Sequence, residues 1–402
     1  MRSSSHVRLF LPSVVFASLL VSSTAFLPAQ DPTPAPASPP SKELVALGES
    51  LFKDVRLSGT GTTSCASCHR PERSFTEDKP LAVGQAGVEL ARNTPTLFGL
   101  AGVAGYPIGG SLFSSPKLVP LEERVLAPLH DAAEMDVSAK AAVARLGSDS
   151  ASCKTFADVF DASHGPSEAA YPTEKVTKAR LGAALAAYVR SLKAPETPAM
   201  LALAGSNLEL EARSGRGLDL FRGAGRCQSC HSGPGLTDGD LHVVAFRPKD
   251  ALLHIVPLKL PPESVSPDSR PSPQLTAARA AALRGGRYGG TTMSLERQTL
   301  PLVDVGRTAP YFRDGSAKTL SDAVRKHASD LRQVGAQRAA ILANPGMLIA
   351  KEENRAPKLP PERCLSLSGR EQLATDTWIP PDLSSDQFDD LVAFLGSLSP
   401  GP

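Results

Sequence analysis

Cys65-Ala66-Ser67-Cys68-His69 and Cys227-Gln228-Ser229-Cys230-His231 decide the reading of this chain. Both are Cys-x-x-Cys-His, the attachment signature of a c-type haem. Two thiols must reach the two vinyl edges of one porphyrin, so they sit about one helical turn apart. The next residue is then held under the ring, where its imidazole can bind iron from the proximal side. The chain is therefore expected to carry two covalent haems, one on Cys65 and Cys68 with His69 as ligand, the other on Cys227 and Cys230 with His231. A zinc site wants its second cysteine pair roughly 15–20 residues on, far closer than it lies here. A thioredoxin-like pair needs a βαβ context, which the sequence does not offer.

Outward from the motifs, the chain repeats itself loosely. Gly48-x-x-Leu51-Phe52 precedes the first and Gly217-x-x-Leu220-Phe221 the second. Phe75-Thr76 and Asp78 follow the first; Leu236-Thr237-Asp238 follow the second. The unit is a leading helix, a haem loop and a turn. The expected fold is mainly α, with two cytochrome c-like haem domains in tandem, 41–195 and 206–402, joined across 194–212. Leu44, Leu47 and Leu51-Phe52 recur at helical spacing after Ser41, a plausible N-cap. Residues 120–146 read as helical. Leu181, Leu185, Tyr188 and Leu192 mark a helix, Thr319 to Ala328 a short one, and 256–275 a Pro- and Ser-rich loop. Leu383-Ser384-Ser385-Asp386 caps a final helix expected to bury Phe388, Leu391, Val392 and Leu395.

The 402 residues suffice for two or three domains. Arg2, His6 and Arg8 precede an apolar run, Leu9 to Val21, too short for a comfortable transmembrane span. Residues 1–29 therefore read as a secretory signal, cut after Ala25 or Ala29, against the alternative of an uncleaved anchor. Export suits covalent haem attachment and points to the periplasm. Residues 30–40 are a Pro-rich linker. Lys plus Arg is 43 and Asp plus Glu 41, so nothing points to nucleic acid. Cys153 and Cys364 are left over. They form a disulfide or remain two buried thiols, since sequence does not set their distance.

Taken with Leu51-Phe52-Lys53-Asp54-Val55-Arg56-Leu57-Ser58, Arg92-Asn93-Thr94-Pro95-Thr96-Leu97, Glu134-Met135, Thr308-Ala309-Pro310-Tyr311-Phe312-Arg313-Asp314-Gly315 and Asp390-Leu391-Val392-Ala393-Phe394-Leu395, the chain resembles the bacterial dihaem cytochrome c peroxidase and MauG superfamily. The resemblance runs from about residue 44 to 398. It implies a peroxide-reactive N-terminal haem, a C-terminal haem that receives electrons, and a calcium ion between them. It also implies hydrogen peroxide as substrate, a small cytochrome c or cupredoxin as electron donor, and a homodimer as one state of assembly. By resemblance Glu134 is the distal acid–base group, which peroxide reduction needs to move a proton between the two oxygens; the bland reading is a solvated loop glutamate. The position of the distal His that closes the first haem in some members falls at Gln85, and no His lies between His69 and His130, so the first iron is expected to be open. The distal position of the second haem falls at His327, with Met347 and Met293 as fallbacks and a surface His as the alternative. Asn93 with the carbonyls of Thr308 and Pro310 would hold calcium; alone, Asn93 is a turn residue before Pro95. His130, His164, His242 and His254 read as structural or exposed.

Three departures stand out. The family's Phe-Trp-Asp-Gly-Arg segment is replaced by 106–113, leaving Tyr106 and Phe113 as aromatics there and Trp378 as the sole tryptophan. Arg124 stands where a Gln is expected ten residues before Glu134. Leu302-Val303-Asp304 replaces Thr-Leu-Arg-Asn. Three functions follow: a dihaem peroxidase, a MauG-like oxidase of a protein or small molecule, and a plain electron carrier.

Overall fold

The computed structural model describes residues 39–90, 92–108, 117–161, 175–243, 296–343 and 382–401. The expected signal and linker segments up to residue 38, Phe113, His164, His254, Met293, Met347, Cys364 and Trp378 lie outside the described residues, as does 256–275.

The described chain is mainly helical, and two helix pairs organise it. Helix α1 (Lys42–Phe52) starts at Ser41, whose Oγ accepts the Leu44 N–H at 3.2 Å, with Glu43 in the first turn favouring the helix dipole. It buries Leu47, Gly48, Leu51 and Phe52 against α7 (Lys178–Ser191), which turns Leu181, Ala184, Leu185 and Tyr188 toward it. Helix α9 (Ala212–Arg222) buries Ser214, Gly217, Leu218 and Phe221 against α11 (Ser385–Gly396). Here Arg216 grips Asp390 bidentately, at 2.7 and 2.8 Å.

The repeated glycine is where each pair crosses. A methyl on Gly48 would collide with the Ala184 carbonyl and lie 2.8 Å from Tyr188 Cβ. A methyl on Gly217 would collide with the Asp390 carbonyl and lie 2.7 Å from Phe394 Cβ. Backbone meets backbone at both points, which only glycine permits. The aromatic four residues on then fills the space below: Phe52 with Phe75 and Tyr188, Phe221 with Phe394 at 5.3 Å between centroids.

Between the pairs lie α2 (Cys65–Cys68), α3 (Leu121–Arg124), α4 (Ala127–His130), α5 (Ala139–Gly147), α6 (Ser150–Asp161) and α8 (Pro198–Leu203). The stretch 120–146 is thus three short helices, because Pro128 and the left-handed Asp136 interrupt it. Helix α10 (Leu320–Ala343) is longer than the short helix expected to end at Ala328; it passes Gly335 and ends immediately before Asn344-Pro345. Helix α11 turns Phe394, rather than the half-buried Val392, into the core with Phe388, Leu391 and Leu395, as a helical stripe requires. Two antiparallel ribbons complete the chain: β1 (Tyr106–Ile108) with β2 (Lys117–Val119), and β3 (Leu241–Val243) with β4 (Glu296–Gln298).

Candidate haem sites

Each motif is one short turn ending in a histidine whose N–H returns to the first cysteine: His69 N to Cys65 O and His231 N to Cys227 O, both 2.9 Å. Ser64 and Ser67 form a capping box around the first turn. His69 Nδ1 lies 3.0 Å from the Phe75 carbonyl and His231 Nδ1 3.1 Å from that of Leu236. A carbonyl only accepts, so both imidazoles carry their proton on Nδ1 and leave Nε2 unprotonated for a metal. Ser74 and Phe75 in the first loop and Leu236 in the second have positive φ, the backbone turn that aims these carbonyls. Burial pushes both imidazoles below their usual range, His231 to about 4 with the His327 ring adding to the effect.

The duplication reaches further than the sequence pattern. Pro95 and Leu300 supply a second backbone carbonyl beside His69 and His231 respectively. Thr94 Oγ1 donates to the buried Glu77 at 3.0 Å, and Thr299 bonds Asp238. The partner of Asp238 in the repeat is therefore Glu77, not Asp78. Asp304, from the altered Leu302-Val303-Asp304 segment, is buried and accepts from Ser74 Oγ at 2.5 Å. It ties the first haem loop to the second half of the chain.

The cysteines fit attachment better than thiolate chemistry. Burial pushes Cys65 and Cys68 up to about 12 and Cys227 to about 11, so these thiols stay protonated at neutral pH. The two pairs do not meet in one metal cluster among the described residues. Cys230, Asp238 and His242 do approach one another, with His242 Nε2 2.8 Å from Asp238. Contact with Cys230 and then Asp238 pushes His242 up to about 9. A thioether at Cys230 would leave Asp238 as the partner of His242. Cys153 places its Sγ 3.2 Å from the Gly147 carbonyl.

On their other sides the two sites differ. The His327 ring on α10 lies 6.4 Å from that of His231, at 67°. Two imidazoles bound on opposite sides of one metal, with bonds of about 2.0 Å, put their centroids about 6 Å apart. Burial lowers His327, keeping it neutral and able to ligate. Near the first motif lies Glu134, whose charge reaches Cys65 and Cys68; its Oε1 is 2.7 Å from Arg92 Nη2, and Asp131 lies 3.5 Å from the same nitrogen. Burial pushes the Glu134 carboxyl above its usual range, and Arg92 and Arg124 oppose the rise. Gln85 is fully buried, its Nε2 donating to the Ala132 carbonyl and its Oε1 accepting from Thr60, both at 3.3 Å. Gly84 lets this loop touch the backbone beside Glu134, since a methyl there would lie 2.9 Å from the Ala133 carbonyl carbon. His130 is exposed.

Asn93 donates its N–H to the Arg313 carbonyl at 2.6 Å and its amide to the carbonyls of Lys79 and Pro80. No donor among the described residues reaches the carbonyls of Thr308 or Pro310, a few residues before the Arg313 carbonyl that Asn93 bonds. Tyr106 is buried and donates to Leu100 O at 2.6 Å.

Residues 42–207 match the family model for di-haem cytochrome c peroxidase. The chain is similar to dihaem cytochrome c peroxidases and MauG proteins. It is 31% identical to the methylamine utilization protein MauG of Methylorubrum extorquens over 52% of this chain, and spans 55% of that relative's length. The MauG of Methylophilus methylotrophus is 25% identical over 80% of this chain and 85% of its own. The cytochrome c551 peroxidase of Pseudomonas aeruginosa is 27% identical over 71% of this chain and 72% of its own. Among solved structures, a MauG-like protein associated with microbial copper homeostasis superposes with a TM-score of 0.56 at 26% identity, covering 90% of each chain. The diheme peroxidase BthA of Burkholderia thailandensis shares the fold, with a TM-score of 0.58 at 22% identity over 92% of this chain and 89% of its own.

Sequence reasoning missed Glu77, Thr94, Thr299 and Asp304 around the haem loops. Their one signal was the threonine after each loop aromatic or leucine, Thr76 and Thr237.

Proposed function

We propose that this chain is an exported, periplasmic dihaem peroxidase that reduces hydrogen peroxide to water with electrons from a small cytochrome c or cupredoxin. The observation that carries this reading is the asymmetry of the two sites: His231 faces a second histidine, whereas the first site is neighboured by a half-buried carboxyl–guanidinium pair, Glu134 with Arg92. In this reading domain 41–195 holds one haem on Cys65, Cys68 and His69. Domain 206–402 holds the other on Cys227 and Cys230 between His231 and His327. When bound, the haems supply irons that accept electrons and, at the first site, a position for peroxide.

The rest is the work of side chains. Glu134 takes a proton from one peroxide oxygen and returns it to the departing one, so that two electrons and two protons convert peroxide to two waters. Arg92 holds that carboxylate at 2.7 Å. Gln85 fills the place of a closing histidine but is tied to Thr60 and Ala132 instead. Phe52, Phe75 and Phe98 wall the proximal side and keep water from His69. Calcium on Asn93 and the carbonyls of Thr308 and Pro310 would brace the joint between these loops. No helix among the described residues is long and apolar enough to cross a membrane.

A MauG-like oxidase is the second reading, favoured by the two MauG relatives. Steady-state peroxide consumption with a reduced small cytochrome separates the two. The peroxidase reading expects turnover, and expects Glu134→Gln to lower it by about 10²–10⁴-fold while the haem spectrum persists. No turnover in the wild-type holoprotein overturns it; equal turnover in the variant removes Glu134 from the mechanism.

A further inference from the structure

The loop that follows each Cys-x-x-Cys-His motif docks on the other half of the chain, and the internal repeat relates the two dockings. Ser74-Phe75-Thr76-Glu77 corresponds to Gly235-Leu236-Thr237-Asp238. Phe75 and Leu236 are both left-handed, at φ 58° and 52°, and their carbonyls take the Nδ1–H of His69 and His231. A second correspondence lies at one shared offset beyond Thr94 and Thr299, the threonines that bond Glu77 and Asp238. Gly99 and Asp304 stand there, again both left-handed, at φ 77° and 58°. Each opens a short 3-10 turn, Leu100–Gly102 and Val305–Arg307. The four positions meet crosswise. A methyl on Gly235 would collide with the Gly99 carbonyl, so the second loop rests backbone to backbone on the first half. Ser74 meets Asp304 of the second half, its Oγ donating to Oδ2 at 2.5 Å.

Only the first crossing is polar. It places a hydroxyl and a carboxyl where the second places two glycines. Both side chains are enclosed, with Ser74 2% and Asp304 1% exposed. Asp304 Oδ1 is buried with no hydrogen-bond partner among the described residues, so its carboxyl rests on the Ser74 hydroxyl. A buried, half-satisfied carboxyl on left-handed backbone is costly, and glycine would remove both costs. Ser74 is also gripped from its own half, since Thr96 Oγ1 donates to its carbonyl at 2.7 Å. The next peptide along is the one whose carbonyl holds His69.

We propose that Asp304 is a positioning residue for the first haem site: through Ser74 it fixes the Phe75 carbonyl on the His69 Nδ1–H, so the second half of the chain sets the strength of that hydrogen bond. This rests on the two-haem reading above. A firm bond to Nδ1–H makes the imidazole a stronger donor at Nε2 and favours the oxidised form of the metal bound there. Asp304 acts on the first site alone, because Gly235 offers the second loop no side chain to hold.

The test is resonance Raman spectroscopy with spectroelectrochemical titration of the full-length holoprotein, after mass spectrometry has counted haems. Ser74→Gly and Asp304→Gly each write in the residue that the other half carries at that place, and glycine accepts both left-handed backbones. Each is expected to lower the iron–imidazole stretching frequency of the reduced first haem. Each is also expected to shift that haem's equilibrium toward the reduced form by about fivefold, the weight of one ordinary hydrogen bond, and to leave the second haem unmoved. The double variant is expected to match either single one, because both break the same contact. Asp304→Asn keeps an acceptor for Ser74 and is expected to retain most of the wild-type values. With both haems attached, an unmoved first haem overturns the proposal, even if the variants melt earlier, since a packing role alone would give that result. Additive shifts in the double variant overturn it too, as do equal shifts at both haems. An asparagine variant as impaired as the glycine overturns it by assigning the effect to the carboxylate's charge. A wild-type chain without two haem masses defeats the two-haem reading instead. A reduced wild type without the iron–imidazole band defeats the open first site, and the potentials then decide the role of Asp304.

Discussion

Gly217→Ala and Gly215→Ala make the same chemical change two residues apart on α9, and they should move stability in opposite directions. Gly217 lies at the crossing with α11, where the new methyl would collide with the Asp390 carbonyl and sit 2.7 Å from Phe394 Cβ. Carbon atoms pack at about 3.5–4.0 Å, so the helices must part by about 1 Å, a gap that forfeits up to about half of the local dispersion energy. The Asp390 carbonyl belongs to the α11 backbone and cannot turn aside. The contacts at stake include Phe221 and Phe394, both fully buried, and the Arg216–Asp390 grip. Overpacking of this kind costs about 3 kcal/mol, partly offset by the ~1 kcal/mol that alanine gains over glycine within a helix. A methyl on Gly215 meets nothing within 4 Å, so only the gain applies there. The assay is thermal unfolding of the holoprotein followed by helical circular dichroism and by the haem bands. The same probe must be compared across variants, because a cofactor-bearing chain of this size need not unfold in two states. Gly217→Ala should melt several degrees below the wild type and disturb the second haem first, since Phe221 lies under its motif; Gly215→Ala should melt at or above it. Equal midpoints for the two variants would refute the crossing as the reason for the repeated glycine.

Arg92→Gln should move the acid limb of kcat/KM to higher pH. Glu134 must be ionised to accept a proton, burial already raises its carboxyl, and Arg92 opposes that rise; without Arg92 the carboxyl protonates at still higher pH, so activity is lost earlier as pH falls. A limb that stays put or moves down would show that Glu134 is not the base. His327→Gly should turn part of the second haem high-spin while sparing the first, as read by absorption and electron paramagnetic resonance. An unchanged spectrum would remove His327 as ligand.

Much of the fold was legible because its signals are local. The cysteine spacing, the histidine after it, the Ser41 cap, the capping stretch 383–386 and the apolar stripes of α1 and α11 are each contained in a turn or two of chain. The glycine-plus-aromatic repeat was visible too, but its cause was not, since a helix crossing involves Ala184 and Asp390 more than 130 residues away. The end of α10 was misjudged because polar residues from Asp330 onward weakened the apolar stripe while nothing broke the helix before Asn344-Pro345.

From sequence alone came the family resemblance, the mainly helical fold, both Cys-x-x-Cys-His motifs and the histidine that closes each, because covalent haem attachment demands a fixed spacing along the chain. Only the tertiary structure set His327 across from His231, joined Arg92 to Glu134 and tied Ser74 to Asp304. Those groups come from distant segments. Their meeting depends on how helices and loops pack, and no spacing along the sequence encodes that distance.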